Sequence, residues 1–196
     1  MPVSLDVTSN IKQEISFLNR LQSGFQTAQR EALNDTGFQL RRDLVKSLET
    51  DLDKPTPYTK RGISIQKATR NDLTTSVFVL PDQAEYLIRQ VIPQTRQPFS
   101  EYIIVPTEGS RRNQYGNLTR AARRKLFNRS INNIYERGDT VYVRSKRSGQ
   151  LLAVLVRRTR YTVRRWKFYE HAERSATRNF PFYLNRRLST LERRIV

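Results

Sequence analysis

The 196-residue chain contains no cysteine, which excludes disulfide scaffolds, thiolate metal sites and cysteine nucleophiles. It also has a single histidine, His171, so a histidine pair for a metal site is absent. The longest purely apolar run, Leu151 to Val156, is far too short to span a membrane. The opening segment MPVSLDVTSN lacks the basic and apolar regions of a secretory signal. We therefore expect a soluble protein with no cofactor, no metal and no membrane contact.

Acidic residues are also scarce, and the excess of basic over acidic residues differs between the two halves of the chain. The chain has 36 Lys and Arg against 18 Asp and Glu, a formal net charge of +18. Residues 1–100 hold 13 basic and 11 acidic side chains, whereas residues 101–196 hold 23 and 7. This asymmetry indicates that the C-terminal half meets a polyanion or an acidic protein surface.

The spacing of apolar residues predicts an α+β fold. A long amphipathic helix runs from about Asn10 to Thr50, with a bend or a break at Asn34 to Gly37. A proline-rich segment, 53–62, ends it. Alternating apolar residues then predict a series of strands, at residues 62–69, 73–80, 101–109, 139–145 and 150–158, with 159–165 extending the sheet.

Further helices are predicted at residues 81–92, behind Asn117, and in two C-terminal pieces separated by Phe180-Pro181. The predicted architecture is a long N-terminal helix and C-terminal helices packed on an antiparallel β-sheet. The strand at 150–158 is apolar on both faces, so we place it centrally in that sheet. We expect one domain, 1–196, made of an N-terminal helical part (1–56), a sheet with inserted helices (57–165) and C-terminal helices (166–196).

Basic residues form four clusters in the second half of the chain. Arginine dominates them, and its planar fork suits bidentate contact with phosphates or carboxylates. The candidate partner-facing or DNA-facing residues are Arg111, Arg112, Arg120, Arg123, Arg124, Lys125, Arg157, Arg158, Arg160, Arg164, Arg165 and Lys167. Four aromatic residues are interleaved with the last two clusters: Tyr161, Trp166, Phe168 and Tyr169. The alternative interpretation is that the charges only solubilise exposed faces and the aromatic residues are core.

One cluster directly follows a candidate turn, Tyr115-Gly116-Asn117. Glycine permits backbone angles that other residues avoid, and Asn117 is a plausible helix N-cap. The residues expected on the buried stripe of the following helix are Leu118, Ala121, Ala122 and Leu126.

Catalytic motifs are lacking. The sequence has no Gly-rich phosphate loop and no nucleophile elbow. A nuclease or phosphodiesterase would need Asp51, Asp53 and His171 to converge, and nothing in the sequence brings them together. We therefore expect no enzymatic activity.

The order of motifs resembles the tail-completion and neck proteins of tailed bacteriophages, of the lambda-type minor tail protein Z family. The resemblance covers roughly residues 10–190, and its most specific element is the Asn-x-Tyr-Gly-Asn turn. The matching elements are Tyr86-Leu87, Val105-Pro106, Asn113 to Asn117, Leu151 to Val156, and Tyr161 with Arg164. The segment RQVIPQTRQPFS, which follows Tyr86-Leu87, departs from the family because it lacks a glycine pair.

The resemblance implies a structural virion protein of the neck and tail, present in the host cytoplasm during assembly. Several copies, with six expected, would form a ring that completes the tail and joins it to the head connector around the DNA channel. Implied partners are the connector or adaptor, the tail terminator or tail tube, and genomic DNA in the lumen through its backbone. The alternative is a DNA-binding accessory protein without sequence specificity, since no base-reading module is present.

Overall fold

The chain folds into two compact units, as seen in a computed structural model that describes residues 8–92, 94–96, 102–157, 159–161 and 165–195. The helical unit lies within Met1–Ser47, Ile63–Leu80 and Phe168–Val196, and the sheet unit within Leu48–Gly62 and Pro81–Lys167. Long terminal helices and antiparallel sheets together confirm the predicted α+β class. None of the described helices has the length and apolar character that a membrane crossing requires.

Five helices and eight strands make up the described chain. In chain order the helices are α1 (Thr8–Asp51), α2 (Pro57–Arg61), α3 (Pro81–Val91), α4 (Arg120–Leu126) and α5 (Phe168–Ile195). The strands are β1 (Ile63–Gln66), β2 (Ser76–Val79), β3 (Gln94–Arg96), β4 (Ile103–Pro106), β5 (Asn132–Arg137), β6 (Thr140–Ser145), β7 (Leu151–Val156) and β8 (Thr159–Tyr161).

Helix α1 continues without a break through Asn34 to Gly37, where the sequence suggested an interruption. The turn-forming residues there bind the β1–β2 hairpin instead. The Asn34 amide accepts a 2.8 Å hydrogen bond from the Ala68 backbone N–H and donates to the Ala68 carbonyl at 3.2 Å. Gly37 is buried, and a Cβ at this position would collide with Thr75 and lie 2.7 Å from Ile65 Cδ1. Tertiary contacts therefore override the local turn preference.

Helix α5 is a single helix, so the predicted separation into two pieces at Phe180-Pro181 is wrong. An internal proline removes one backbone hydrogen bond and disfavours the helix by about 3 kcal/mol. Contacts with α1 hold α5 in place on both sides of Pro181. Before it, Ser175 donates a 2.6 Å hydrogen bond to Asp43, and after it Arg187 forms a 2.6 Å ion pair with Asp35.

The sheet unit is built on a four-stranded antiparallel sheet in the order β4-β7-β6-β5. Strand β7 is internal, as its two apolar faces predicted. The core on one face of this sheet consists of Leu126, Val141, Val143, Ala153 and Leu155. Because Leu126 belongs to α4, this core fixes that helix on the sheet.

Two strands differ from the sequence-based expectation. Strand β5 is a real edge strand, although its polar sequence, NNIYER, carried no clear apolar alternation. Strand β8 does not extend the main sheet but pairs with β3 in a separate two-stranded sheet, so that prediction is wrong. Strand β8 is specified by hydrogen bonds to β3, a partner distant in sequence that a local pattern does not reveal. Strand β5 pairs with the adjacent β6 through the turn at residues 138–139.

Replacing Gly37 with leucine should destabilise the helical unit by about 2 kcal/mol, because the added atoms overpack the contact with Thr75 and Ile65. The measurement is the midpoint of thermal unfolding. Lys46→Leu on the same helix is the control, since Lys46 is exposed. Equal midpoints for the two variants would show that Gly37 is not a contact point.

Candidate basic interface

The loop before α4 is folded by its own asparagine. The Asn113 side chain accepts hydrogen bonds from the backbone N–H groups of Tyr115 and Asn117, each at 3.0 Å. The Gly116 N–H donates to the Asn113 carbonyl at 3.0 Å, and the Asn113 N–H donates to the Asn117 carbonyl at 2.8 Å. Gly116 has a φ of +79°, in the left-handed region that glycine adopts without strain. The loop is thus a closed, self-supported turn.

Helix α4 begins two residues later than expected, so the assignment of Asn117 as N-cap is wrong. The N-cap is Thr119, whose hydroxyl accepts a 3.1 Å hydrogen bond from the Ala122 N–H. Both backbone polar groups of Asn117 are already used inside the turn. The turn and the N-cap are therefore two separate local structures that follow each other along the chain.

The basic residues of α4 lie on its exposed side. Arg120, Arg123 and Arg124 share one face because residues three and four apart are neighbours on a helix. All three are exposed, as is Lys125 beside them. Leu126 on the opposite side is buried, but Ala121, which we expected in the buried stripe, is exposed. None of the four cationic side chains forms an ion pair or hydrogen bond with any other described residue.

Asn132 fastens the far end of α4, a role that the sequence did not suggest. Its side chain is 4% exposed and donates 2.9 Å hydrogen bonds to the carbonyls of both Lys125 and Leu126. These are last-turn carbonyls, which have no partner within the helix. An asparagine in a polar stretch looks like an ordinary loop residue, so only the structure reveals this contact.

A groove of about 370 Å³ runs beside α4. Its apolar lining comes from Leu118, Ala122, Leu126, Ile131 and Leu152. Its cationic lining comes from Arg111, Lys125 and Arg147. The lining of the groove therefore combines apolar and positively charged side chains.

The remaining candidate cations are dispersed. Arg111 and Arg112 are exposed in the loop, and Arg112 Nη2 donates a 3.0 Å hydrogen bond to the Pro106 carbonyl. Arg157 follows β7, with its guanidinium 5.9 Å from the centre of the Tyr102 ring. Arg165 and Lys167 are exposed in the segment that leads to α5. Arg160 belongs to β8, while Arg158 and Arg164 lie outside the described residues.

The interleaved aromatic residues do not form one exposed platform. Trp166 is fully buried, and its backbone N–H donates a 2.9 Å hydrogen bond to the Gln90 carbonyl. Phe168 and Tyr169 stack edge to face in α5, with ring centres 5.2 Å apart, and Tyr169 is 63% exposed. Tyr161 lies in β8. For Trp166 the core interpretation is correct.

The hypothetical catalytic trio is divided between the two units. Asp51 ends α1 and accepts a 3.3 Å hydrogen bond from the Lys167 N–H in the sheet unit, and Asp53 follows it. His171 belongs to α5 of the helical unit. Among the described residues, no group of three or more histidine and acidic side chains could hold a metal ion.

Comparison of the chain with protein-family models, curated proteins and solved structures finds no match. The elements of the phage-protein resemblance nevertheless occupy defined places. Tyr86-Leu87 lies in α3, Val105-Pro106 ends β4, and Leu151 to Val156 is β7. Part of the divergent segment, 93 and 97–100, lies outside the described residues. The family assignment stays a prediction.

Replacing Asn132 with alanine should destabilise the sheet unit by about 1–3 kcal/mol, because the Leu126 carbonyl loses its side-chain donor and the Lys125 carbonyl keeps only backbone donors such as the Asn128 N–H. Chemical denaturation measures the change. Asn133→Ala, at the exposed neighbouring position, should have little effect. A loss no larger than that of the control would contradict the anchoring role.

Proposed function

We propose that the chain is a structural protein of the phage neck and tail, which forms a ring that completes the tail and joins it to the head connector. The observation that carries this proposal is the basic face of α4: Arg120, Arg123 and Arg124 are exposed on a helix that is held at both ends. Three guanidinium groups carried on a helix whose backbone is held in place, without carboxylate partners among the described residues, suit an acidic surface on another ring.

The groove beside α4 favours a protein partner over bare phosphates. Its lining includes the apolar side chains of Leu118, Leu126 and Ile131 and the cationic side chains of Arg111 and Lys125. A nucleic-acid backbone forms few favourable contacts with apolar side chains, whereas protein interfaces combine an apolar centre with a polar rim. An acidic segment with an apolar anchor fits this combination.

Assembly into a ring needs a contact between unlike faces of neighbouring copies. The first half of α1 supplies a candidate, because apolar residues at helical spacing remain exposed along it. Ile15, Leu18 and Phe25 are 52%, 63% and 41% exposed. The β1–β2 hairpin supplies another in Phe78, which is 40% exposed. These positions support self-association of several copies, with six expected from the resemblance.

The second candidate function is DNA binding without sequence specificity, away from the virion. The unpartnered arginines of α4 also suit backbone phosphates, and such binding weakens steeply with salt. A gel-shift titration of the isolated protein across salt concentrations separates the two functions. Salt-sensitive binding of duplex DNA by the monomer supports the accessory role, whereas a docking protein does not require it.

Replacing Arg120, Arg123 and Arg124 together with alanine should leave the protein folded but stop head–tail joining. The three side chains are exposed and form no hydrogen bond or ion pair with other described residues, so their replacement should mainly remove the docking charge. The readouts are plaque formation and the accumulation of separate heads and tails in electron micrographs.

The matched control replaces three other exposed arginines, Arg174, Arg186 and Arg193 of α5, with alanine. This triple variant carries the same change in net charge and should form plaques normally. Normal plaque formation by the α4 variant would refute the proposed role of the basic face.

A further inference from the structure

The helical unit contains a second cationic site. Its residues come from three separate segments of the chain, so the sequence alone does not reveal it. A groove of about 520 Å³ is lined by residues of α1, of α5 and of the turn between β1 and β2. We call it the arginine groove, after its five arginines: Arg20, Arg30, Arg70, Arg187 and Arg194. Glu31 is the one acidic residue among the described side chains that line it.

Helical spacing explains why these residues converge. Gly24, Thr27 and Glu31 lie on one face of α1, and Arg187, Leu191 and Arg194 lie on one face of α5. The helices approach closely at Gly24, where an added Cβ would lie 2.5 Å from Leu191 Cδ1. This close contact fixes the two rows of arginines relative to each other.

Glu31, the acidic residue of the described lining, is already paired. Arg187 forms ion pairs with Glu31 at 2.9 Å and with Asp35 at 2.6 Å. Arg20 donates to the Ser16 carbonyl at 3.4 Å, within its own helix. The side chains of Arg30, Arg70 and Arg194 form no ion pair or hydrogen bond with any other described residue. The groove therefore concentrates uncompensated positive charge around one space.

We infer that the arginine groove binds phosphate groups. A multivalent phosphate carries more negative charge and more acceptor oxygens than a single carboxylate, so it can bind several guanidinium groups at once. The hydroxyls of Thr27 and Thr190 donate to carbonyls of their own helices, so the arginines are the main donors left for a ligand. The described lining contains no aromatic ring on which a base could stack. The recognised chemistry is therefore the phosphate itself.

This inference does not depend on the proposed docking role of α4, because the residues belong to a different unit. The phosphates can come from a nucleic-acid backbone or from a free polyphosphate, and both present the same groups to arginine. Sodium tripolyphosphate serves as the first probe and a short single-stranded oligonucleotide as the second. Isothermal titration calorimetry of the full chain measures binding of each.

The test variant is Arg30→Gln with Arg194→Gln, and the matched control is Arg186→Gln with Arg193→Gln. Both pairs remove two positive charges, but neither control residue lines the groove. We expect the groove variant to weaken tripolyphosphate binding at least about tenfold, because it removes two charge-assisted contacts. The control should change it less than about twofold, through the general loss of charge. Circular dichroism checks that both variants are folded.

The oligonucleotide experiment distinguishes the two sources of phosphate, a nucleic-acid backbone and a free polyphosphate. Competition with tripolyphosphate, together with the same loss in the groove variant, assigns the site to a nucleic-acid backbone. A loss confined to tripolyphosphate assigns it to a free polyphosphate. Equal weakening by the groove and control variants, or no saturable binding of tripolyphosphate by the unaltered protein, would overturn the inference.

Discussion

The structure depends on how a chain with twice as many basic as acidic residues uses its few carboxylates. In the helical unit they secure the framework: Asp43 accepts from Ser175, while Glu31 and Asp35 pair with Arg187, which ties α5 to α1. Half-buried pairs of this kind hold elements in register more than they add net stability. Most guanidinium groups are left at the surface, where hydration or an external anion must balance them.

Both cationic surfaces share one design: their backbone is held in place, and most of their charged side chains form no ion pair with other described residues. On α4 the fixing contacts come from Thr119 at the start and Asn132 at the end. In the arginine groove the close approach at Gly24 and the ion pairs of Arg187 hold the two helices together. A backbone that is already fixed has less freedom to lose when a partner binds, so each contact contributes more to affinity. This arrangement favours docking over simple solubility.

The elements that could be predicted from the sequence are those whose signal is local. The long first helix, the β1–β2 hairpin and the central place of β7 follow from apolar periodicity. The predictions failed where distant contacts decide: Asn34 to Gly37 looks like a turn but binds a hairpin, and Pro181 looks like a helix end but is bridged by contacts on both sides. The exposed arginines of α4 were predictable, whereas the arginine groove was not, because its residues come from three separated segments.

The central claim is that copies of this chain occupy the junction of head and tail, and immunogold electron microscopy tests it most directly. An antibody raised against the folded chain is applied to purified phage particles. The account predicts gold at the junction between capsid and tail in intact particles, and label on the joining end of separated heads or tails. Particles that carry no label even after mild disruption would contradict it, and so would label confined to the capsid shell or the distal tail.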